Sequence, residues 1–457
     1  MSDRATVTRD EGVRRAHAAD ASGLVMIPDA VARPREAREV AELLREASAS
    51  HTPVTPAGGQ TSTTAASITG EGTLLSLRAM DRIIEIDADR RVVRAESGVL
   101  LGDLKRACAA EGLLLPPDPT SEEESTLGGA IACNASGART LRYGATRPWV
   151  RALTIVLANG EVLELRRTEL EKNTVGYAAV HDPIDWFVGS EGTLGVVVAA
   201  ELSLLPLPES VTGIAVPFSN ERNALHFVRA ARVTDGIAPR CLEFFDERAT
   251  AIASEAAEGR IPPGTKALVF TEEAPLRGEA PALERWLALA EEHDALADDV
   301  AVYEGESALA GARRMRHAVP ARMNERGALR RAHGGRKVST DWAVPYAKLA
   351  DIIERARALA DEAGIEQAVT YGHAGNGHPH QNWVAHDGDE LARIERVVEA
   401  TLREVIAHGG TIAAEHGIGK LKRKWLGLQL SPMQVGAMRA LKRELDPAGI
   451  LAPGNVL

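Results

Sequence analysis

The chain has little cysteine, few aromatic residues, no excess of basic charge and no apolar run long enough to cross a bilayer, and each shortage removes a class of protein. Only Cys108, Cys133 and Cys241 occur among 457 residues, scattered and with no C-x-x-C pair. That excludes a disulfide framework and an iron–sulfur cluster, and it points to a reducing compartment. Aromatic residues make up 4%, and 53 Lys and Arg against 64 Asp and Glu give a formal net charge of −11, so neither base stacking nor a general basic groove is on offer to a nucleic acid. The N-terminal MSDRATVTRDEGVRR carries acidic residues and lacks the apolar centre of a targeting signal. The expectation is a cytoplasmic protein, with any membrane association made peripherally through a partner, acting on something small. No G-x-G-x-x-G stands between a strand-like and a helix-like run, which argues against a nicotinamide fold. Gly419-Lys420 is not a P-loop, because Ala414 stands where the first glycine belongs and Leu421 where the Ser/Thr belongs. Internal repeats and low-complexity tracts are also missing, and the length admits two large domains or three average ones.

What is present is concentrated in Tyr371-Gly-His-Ala-Gly-Asn-Gly-His-Pro-His-Gln-Asn382, which holds three histidines and three glycines between two helix-like segments. His373 and His380 are seven apart, so a straight strand would send them to opposite faces and a helix would separate them by about 10 Å along its axis. Only a bend brings them together, and Gly372, Gly375, Gly377 and Pro379 supply the backbone for one. Two neutral imidazoles aimed at one point form half of a transition-metal site. His378 and His380, two apart, would share one face of a strand, so that pairing stands beside the first. The plainer alternative is a glycine-rich surface loop whose histidines only hydrogen-bond.

In chain order, Val40, Leu43, Leu44 and Ala47 recur at helical spacing after Pro34. His51 to Ser62 reads as a short strand running into the turn Ala57-Gly58-Gly59-Gln60-Thr61, whose amides could cradle a phosphate or form an ordinary turn. β-rich pieces follow at Thr73–Leu77, Ile83–Ile86 and Val92–Ala95, then a helix from Leu100 to about Ala110. Ser125 to Gly137 is small-residue-rich and nearly uncharged, which suits close approach of backbone to a large planar or phosphorylated ligand. Arg151–Leu157 and Val162–Leu165 flank Asn159-Gly160 and predict a hairpin. Another glycine motif, Gly189-Ser-Glu-Gly-Thr-Leu-Gly195, precedes the apolar run Val196–Leu205. Beyond Pro206-Leu-Pro208 the texture changes to helix-like segments near 221–232, 281–293, 346–363, 390–408 and 432–445, and the domain boundary is placed there. Gly311 to Lys337 holds eight Arg and one Lys against Glu325, which reads as a solvated basic helix face or as an anion site for a carboxylate. Ala413-Ala-Glu-His-Gly-Ile-Gly-Lys420 puts a carboxylate beside an imidazole in a glycine-bounded bend.

Pro117-Asp118-Pro119, Leu127-Gly-Gly129 with Asn134-Ala-Ser-Gly137, Tyr143-Gly144, Gly189 to Gly195, Thr340-Asp341 with Val344-Pro345, Gly372-His373 with His380, and Glu415-His-Gly-Ile-Gly419 stand in an order that resembles one family over nearly the whole chain. It is that of the FAD-linked dehydrogenases of the vanillyl-alcohol oxidase/PCMH superfamily, in the branch of D-lactate dehydrogenases, D-2-hydroxyglutarate dehydrogenases and the glycolate oxidase flavoprotein subunit.

The resemblance implies an α+β architecture. A two-part PCMH-type FAD-binding domain would span about 20–206, and an α+β FAD-linked oxidase C-terminal (cap) domain 207–457, its last ~45 residues returning to the flavin. FAD, held without a covalent link because the Ala57–Thr61 turn has no histidine or cysteine, would be lined by Ala57, Gly58, Gly59, Gln60, Thr61, Pro117, Asp118, Thr126, Gly129, Asn134, Ser136, Gly137, Tyr143, Glu191, Gly195 and Val197. Metal ligands of the family fall on His373, His380 and Glu415, with zinc or manganese expected, and the proton acceptor falls on His416. Substrate contacts fall on Arg316, Lys337 and Asn382. The family usually has Asn where this chain has His378, which opens the prospect of a further ligand or a changed substrate contact. The implied reaction is oxidation of a D-2-hydroxy acid, D-lactate-like, with glycolate and D-2-hydroxyglutarate as alternatives. Electrons would pass to an external quinone, cytochrome or electron-transfer protein, and a homodimer is compatible with the reading. From other classes, a redox-neutral ether-lipid synthase or a non-catalytic flavin-binding subunit would use the same fold.

Overall fold

Short runs of alternating apolar and polar residues, punctuated by glycine and proline, make half-buried strands, and longer runs of 3.6 periodicity make helices that cover them. The computed structural model describes residues 6–256, 261–275 and 280–457. They form two compact units. One holds the residues up to Ser136, Gly144–Leu207 and Glu415–Leu457, and the other holds Gly137–Tyr143 and Pro208–Ala414. Among the described residues no helix is long and apolar enough to cross a membrane.

In the first unit, Ala30–Arg33, Thr73–Ser76 and Val54–Ala57 lie side by side and parallel, with Thr6–Thr8 antiparallel at the edge. The helix Ala37–Ser50 carries the chain over the middle strand and buries Val40, Ala41, Leu44 and Ala47 on one stripe. A second sheet is antiparallel, in the order Ile83–Asp87, Val92–Glu96, Val196–Ser203, Val150–Val156, Val162–Arg166. Its last two strands form the hairpin predicted at Asn159-Gly160, where Asn159 Oδ1 accepts from the Glu161 amide at 2.9 Å and Gly160 has φ +80°. The C-terminal segment pairs with the first sheet. The Val54 amide donates to the Ile450 carbonyl and the Ala452 amide to the Val54 carbonyl, both at 2.8 Å. Asp446, buried, secures that segment by accepting from the Ile450 and Leu451 amides.

The second unit is a seven-stranded antiparallel sheet in the order Ala301–Glu304, Thr212–Phe218, Ala267–Glu273, Pro239–Phe245, Val369–His373, His378–Val384, Lys337–Ser339. Strand parity assigns its faces. Phe218 points to one side, 5.4 Å from Phe227 of the helix Glu221–Ala231, which in turn lies 6.0 Å from Trp286. Ala215, Cys241, Phe245, Leu268, Phe270, Val369 and Tyr371 point to the other, under the helices Glu247–Ala256 and Glu306–Ala328. Helix Glu306–Ala328 corrects the reading of 311–337 as one solvated basic face. Its Leu309, Ala312, Met315, Val319 and Met323 are buried at a helical spacing, the helix ends at Ala328, and Lys337 opens a strand. The apolar stripe of Leu, Ala, Met and Val runs through a helix with five arginines, so composition hid it.

On that covered face one buried carboxylate gathers three guanidiniums. Glu272 accepts from Arg313 Nε at 2.6 Å, Arg240 Nη1 at 3.2 Å and Arg139 Nε at 3.3 Å. Burial alone would raise its pKa; Arg139, Arg313 and Arg240 outweigh it and hold the carboxyl at about 2. A depressed carboxyl contributes stability that is complete above the unfolded value near 4.5 and is lost as pH falls toward about 2. Glu272→Gln is therefore expected to lower unfolding free energy by about 3 kcal/mol at pH 7, from a shift of two to three units. Urea unfolding at several pH values should show the gap to the parent closing between roughly pH 4.5 and 2; a gap independent of pH refutes the electrostatic origin.

Candidate active site

In the first unit the strand Val54–Ala57 runs into the turn Gly58–Thr61, whose packing decides its composition. A Cβ at Gly58 would lie 2.1 Å from Thr126 Oγ1, and one at Gly59 2.0 Å from the Glu124 carbonyl oxygen, so only glycine fits. The amides of Gly59, Gln60 and Thr61 donate to no protein group among the described residues, which leaves a run of backbone donors for an anion. Gln60 is committed elsewhere: its Oε1 pairs with His17 Nδ1 at 3.0 Å and its Nε2 donates to the His17 carbonyl at 3.0 Å. Thr126 caps the helix Leu127–Cys133 by accepting from Gly129 N, and Asn134 ends it in the left-handed region at φ +50° while its Oδ1 accepts from the Arg147 amide at 2.8 Å. Pro117 and Val197 are buried, Asp118 half-buried, and Gly195 packs where a Cβ would meet Ile155 at 2.7 Å. Gly137 and Tyr143 belong to the short segment that clusters with the second unit, where the Tyr143 hydroxyl accepts from Arg240 Nε at 3.1 Å.

Glu191 serves the loop after Glu415 and His416. Its two carboxylate oxygens accept from the Ile418 amide at 2.6 Å and the Gly419 amide at 2.7 Å, and burial raises its pKa against those bonds. Gly417 and Gly419 have positive φ and press against Glu191 and Thr64, respectively. His416 Nε2 lies 3.2 Å from Glu415 Oε1, and Ser136 Oγ lies 3.5 Å from Glu415 Oε2.

In the second unit the dozen residues from Tyr371 to Asn382 are a hairpin. Val369–His373 and His378–Val384 are joined at Ala374–Asn376, with Tyr371 opposite His380 and His373 opposite His378. Gly377 has φ +69°, and a Cβ there would lie 1.9 Å from the Val344 carbonyl oxygen. The bend and the shared strand face, posed as alternatives in the sequence, coexist, because pairing puts His373 beside His378 and diagonal to His380 on one face. One ring nitrogen from each lies within 4.8 Å of those of the other two.

Glu243, which the sequence reading did not single out, organises this face. Its Oε1 pairs with His373 Nδ1 at 2.7 Å and its Oε2 accepts from Arg316 Nε at 2.7 Å. With the Nδ1 proton donated to Glu243, His373 presents the Nε2 lone pair, the state a metal ligand requires. Burial would raise the Glu243 carboxyl, but Arg316 and His373 outweigh it and hold it at about 2. A signal existed in the sequence, namely a lone acid inside the apolar strand Pro239–Phe245, since a buried charge needs partners. Asn382, opposite Ser339, donates to the Tyr371 hydroxyl at 2.8 Å, and its buried Oδ1 makes no hydrogen bond. Lys337 bonds Asn324 of the long helix, and burial lowers its ammonium to about 8. Arg316, from the covering helix, and Lys337, at the start of the edge strand Lys337–Ser339, thus have different partners.

A glycine cradle for an anion in one unit and a histidine-rich face in the other are consistent with what the comparisons show. Residues 28–166 match the family described as FAD binding domain, and residues 207–456 the family described as FAD linked oxidases, C-terminal domain. The chain belongs to the FAD-linked oxidases. It is 33% identical over 435 residues to the glycolate oxidase subunit GlcD of Bacillus subtilis, covering 94% of this chain and 89% of that one. It is 33% identical to a D-lactate dehydrogenase of Archaeoglobus fulgidus, with 93% and 91% covered, and 31% identical to a D-2-hydroxyglutarate dehydrogenase of Xanthomonas citri pv. viticola, with 94% and 89% covered. This FAD-linked oxidoreductase is therefore of the D-lactate, glycolate and D-2-hydroxyglutarate dehydrogenase branch. Among solved structures, alkyldihydroxyacetonephosphate synthase aligns with TM-score 0.74 at 18% identity, over 99% of this chain and 82% of that one, which establishes the shared fold.

The cradle gives a direct check of flavin binding. Gly59→Ala is expected to lower flavin affinity about tenfold or more, since a loss of about 1.4 kcal/mol suffices. Gly427→Ala, where a Cβ meets nothing within 4 Å, should not. The ratio of flavin to protein absorbance after gel filtration measures both, and equal ratios would remove the cradle from the cofactor site.

Proposed function

We propose that this FAD-linked oxidase converts a D-2-hydroxy acid, D-lactate-like, to the 2-oxo acid. The observation that carries the reading is the convergence of three imidazoles, one of which, His373, pairs through Nδ1 with Glu243 at 2.7 Å. When bound, FAD would supply the hydride acceptor, and a divalent ion, zinc or manganese, held by His373, His380 and Glu415, would supply acidification of the substrate hydroxyl. The chain's own residues meet the remaining demands. His416, with Glu415 at 3.2 Å, accepts the hydroxyl proton, a task suited to an imidazole near neutral pH. Arg316, its plane fixed by Glu243, meets the substrate carboxylate with a planar fork, and Lys337 adds positive charge. Asn382 offers a buried acceptor, Oδ1, to a substrate hydroxyl. Ala57 to Thr61, Thr126, Gly129, Asn134 and Ser136 would hold the cofactor, without a covalent bond. Orientation of C2 by these groups supplies much of the rate. An external quinone, cytochrome or electron-transfer protein would take up the electrons. A redox-neutral synthase or a flavin-binding subunit without catalysis would place no demand on three buried histidines.

Anaerobic mixing with D- and L-lactate, glycolate and both enantiomers of 2-hydroxyglutarate tests the reading through flavin bleaching at 450 nm. A D-2-hydroxy acid should bleach the flavin and its L-enantiomer should not. Removing metal with a chelator should stop bleaching while the oxidised flavin spectrum stays intact. His416→Ala should retain metal and lose at least about 100-fold in reduction rate, the lower range for a general base. Full-rate reduction by the chelated protein, or no metal in an active preparation, would overturn the metal-assisted part; no bleaching by any D-acid would overturn the activity.

A further inference from the structure

We propose that His378 is a third imidazole ligand of the divalent ion, so that His373, His378 and His380, all carried by one hairpin, make the site nitrogen-rich and select zinc over manganese. The inference rests on the metal-assisted reading above and extends its ligand set. Three observations on the second unit carry it.

The rings converge, with centroid separations of 5.3 Å for His373 and His378, 5.2 Å for His373 and His380, and 4.7 Å for His378 and His380. Their planes cross at 62° to 81°, so the rings meet edge to face around a common space and are not stacked as a packing column.

All three are buried, and His378 is 4% exposed. Its Nε2 makes no hydrogen bond. Asp341 Oδ1 lies 3.1 Å away, but the alignment is not that of a hydrogen bond. A ring nitrogen removed from water without an aligned partner is costly, and an ion among the three rings relieves that cost.

The donor atoms also suit one ion. Ligand nitrogens about 2.0–2.1 Å from zinc stand roughly 3–4 Å apart. One nitrogen from each ring already lies within 4.8 Å of the others, so small side-chain rotations close the site. His373 is anchored for this by Glu243 at 2.7 Å, the carboxylate–imidazole support common to metal-binding histidines. Three imidazoles favour zinc, whereas manganese prefers oxygen donors.

The test is X-ray absorption at the zinc edge of the FAD-loaded protein, which counts imidazole scatterers without any substitution, joined to zinc competition against a chromophoric chelator. The parent should show three imidazoles, and His378→Asn two. The substitution should weaken zinc by more than about 100-fold, exceeding the 10- to 100-fold typical of a supporting residue. Manganese affinity should change by less, and flavin content serves as the check that the variant is folded. Two imidazoles in the parent, or unchanged zinc affinity in the folded variant, would overturn the role of His378 while leaving the metal reading intact. A parent that binds no zinc and no manganese would remove the metal reading and this inference with it.

Discussion

The Glu243 carboxylate, shared between Arg316 and His373 at 2.7 Å each, is the interaction on which the second unit's chemistry depends. A carboxylate taken out of water is unfavourable unless its partners replace the lost hydration, and this one sits in the middle of a sheet with 1% of its side chain exposed. The partners come from two different elements, the long helix and the histidine hairpin, so satisfying the charge also fixes their mutual placement. Breaking such a pair leaves a guanidinium and an imidazole N–H without the acceptor around which they are arranged. The neighbouring cluster at Glu272 follows the same logic with three arginines, which makes the covered face of this sheet an ordered array of charges over an apolar floor.

In the first unit the constraint is steric and not electrostatic. Gly58 and Gly59 lie where backbone passes so close to residues 124–126 that no side chain fits, and the same crowding recurs at Gly417 and Gly419 against Glu191 and Thr64. Close approach of backbone exposes amides in place of side chains, and exposed amides are what a phosphate-bearing cofactor can use. The C-terminal segment reinforces this region by pairing with Val54 and by Asp446, which accepts from two amides. The first unit thus presents a crowded glycine turn and the second a side-chain-rich face.

Much of the fold was legible in the chain. The hairpin at Asn159-Gly160 and the helices Ala37–Ser50, Glu221–Ala231 and Pro432–Leu445 follow from local rules that need no tertiary context, namely turn chemistry and apolar periodicity. Helix Glu306–Ala328 was not recognised as a core element, because Pro320 and a run of arginines obscure a stripe of Ala, Met, Leu and Val. The histidines of 371–382 were legible as chemistry, since glycine and proline around imidazoles have few other uses, yet their pairing was not, because a bend and a strand face are equally consistent with the spacing.

What the sequence by itself determined was the family, the α+β class and the residue types available for catalysis, because glycine turns, alternating strands and histidine spacing are local and each residue carries its own conformational preference. The tertiary structure alone decided which distant groups act on which. Glu243 and His373 are separated by 130 residues, and Glu191 and Ile418 by 227, and no local rule links them. Glu243 and His373 meet because pairing of Pro239–Phe245 with Val369–His373 sets them side by side in the sheet of the second unit, and Glu191 meets Ile418 because the loop after His416 returns to it in the first; a buried charge is tolerated only where such partners arrive.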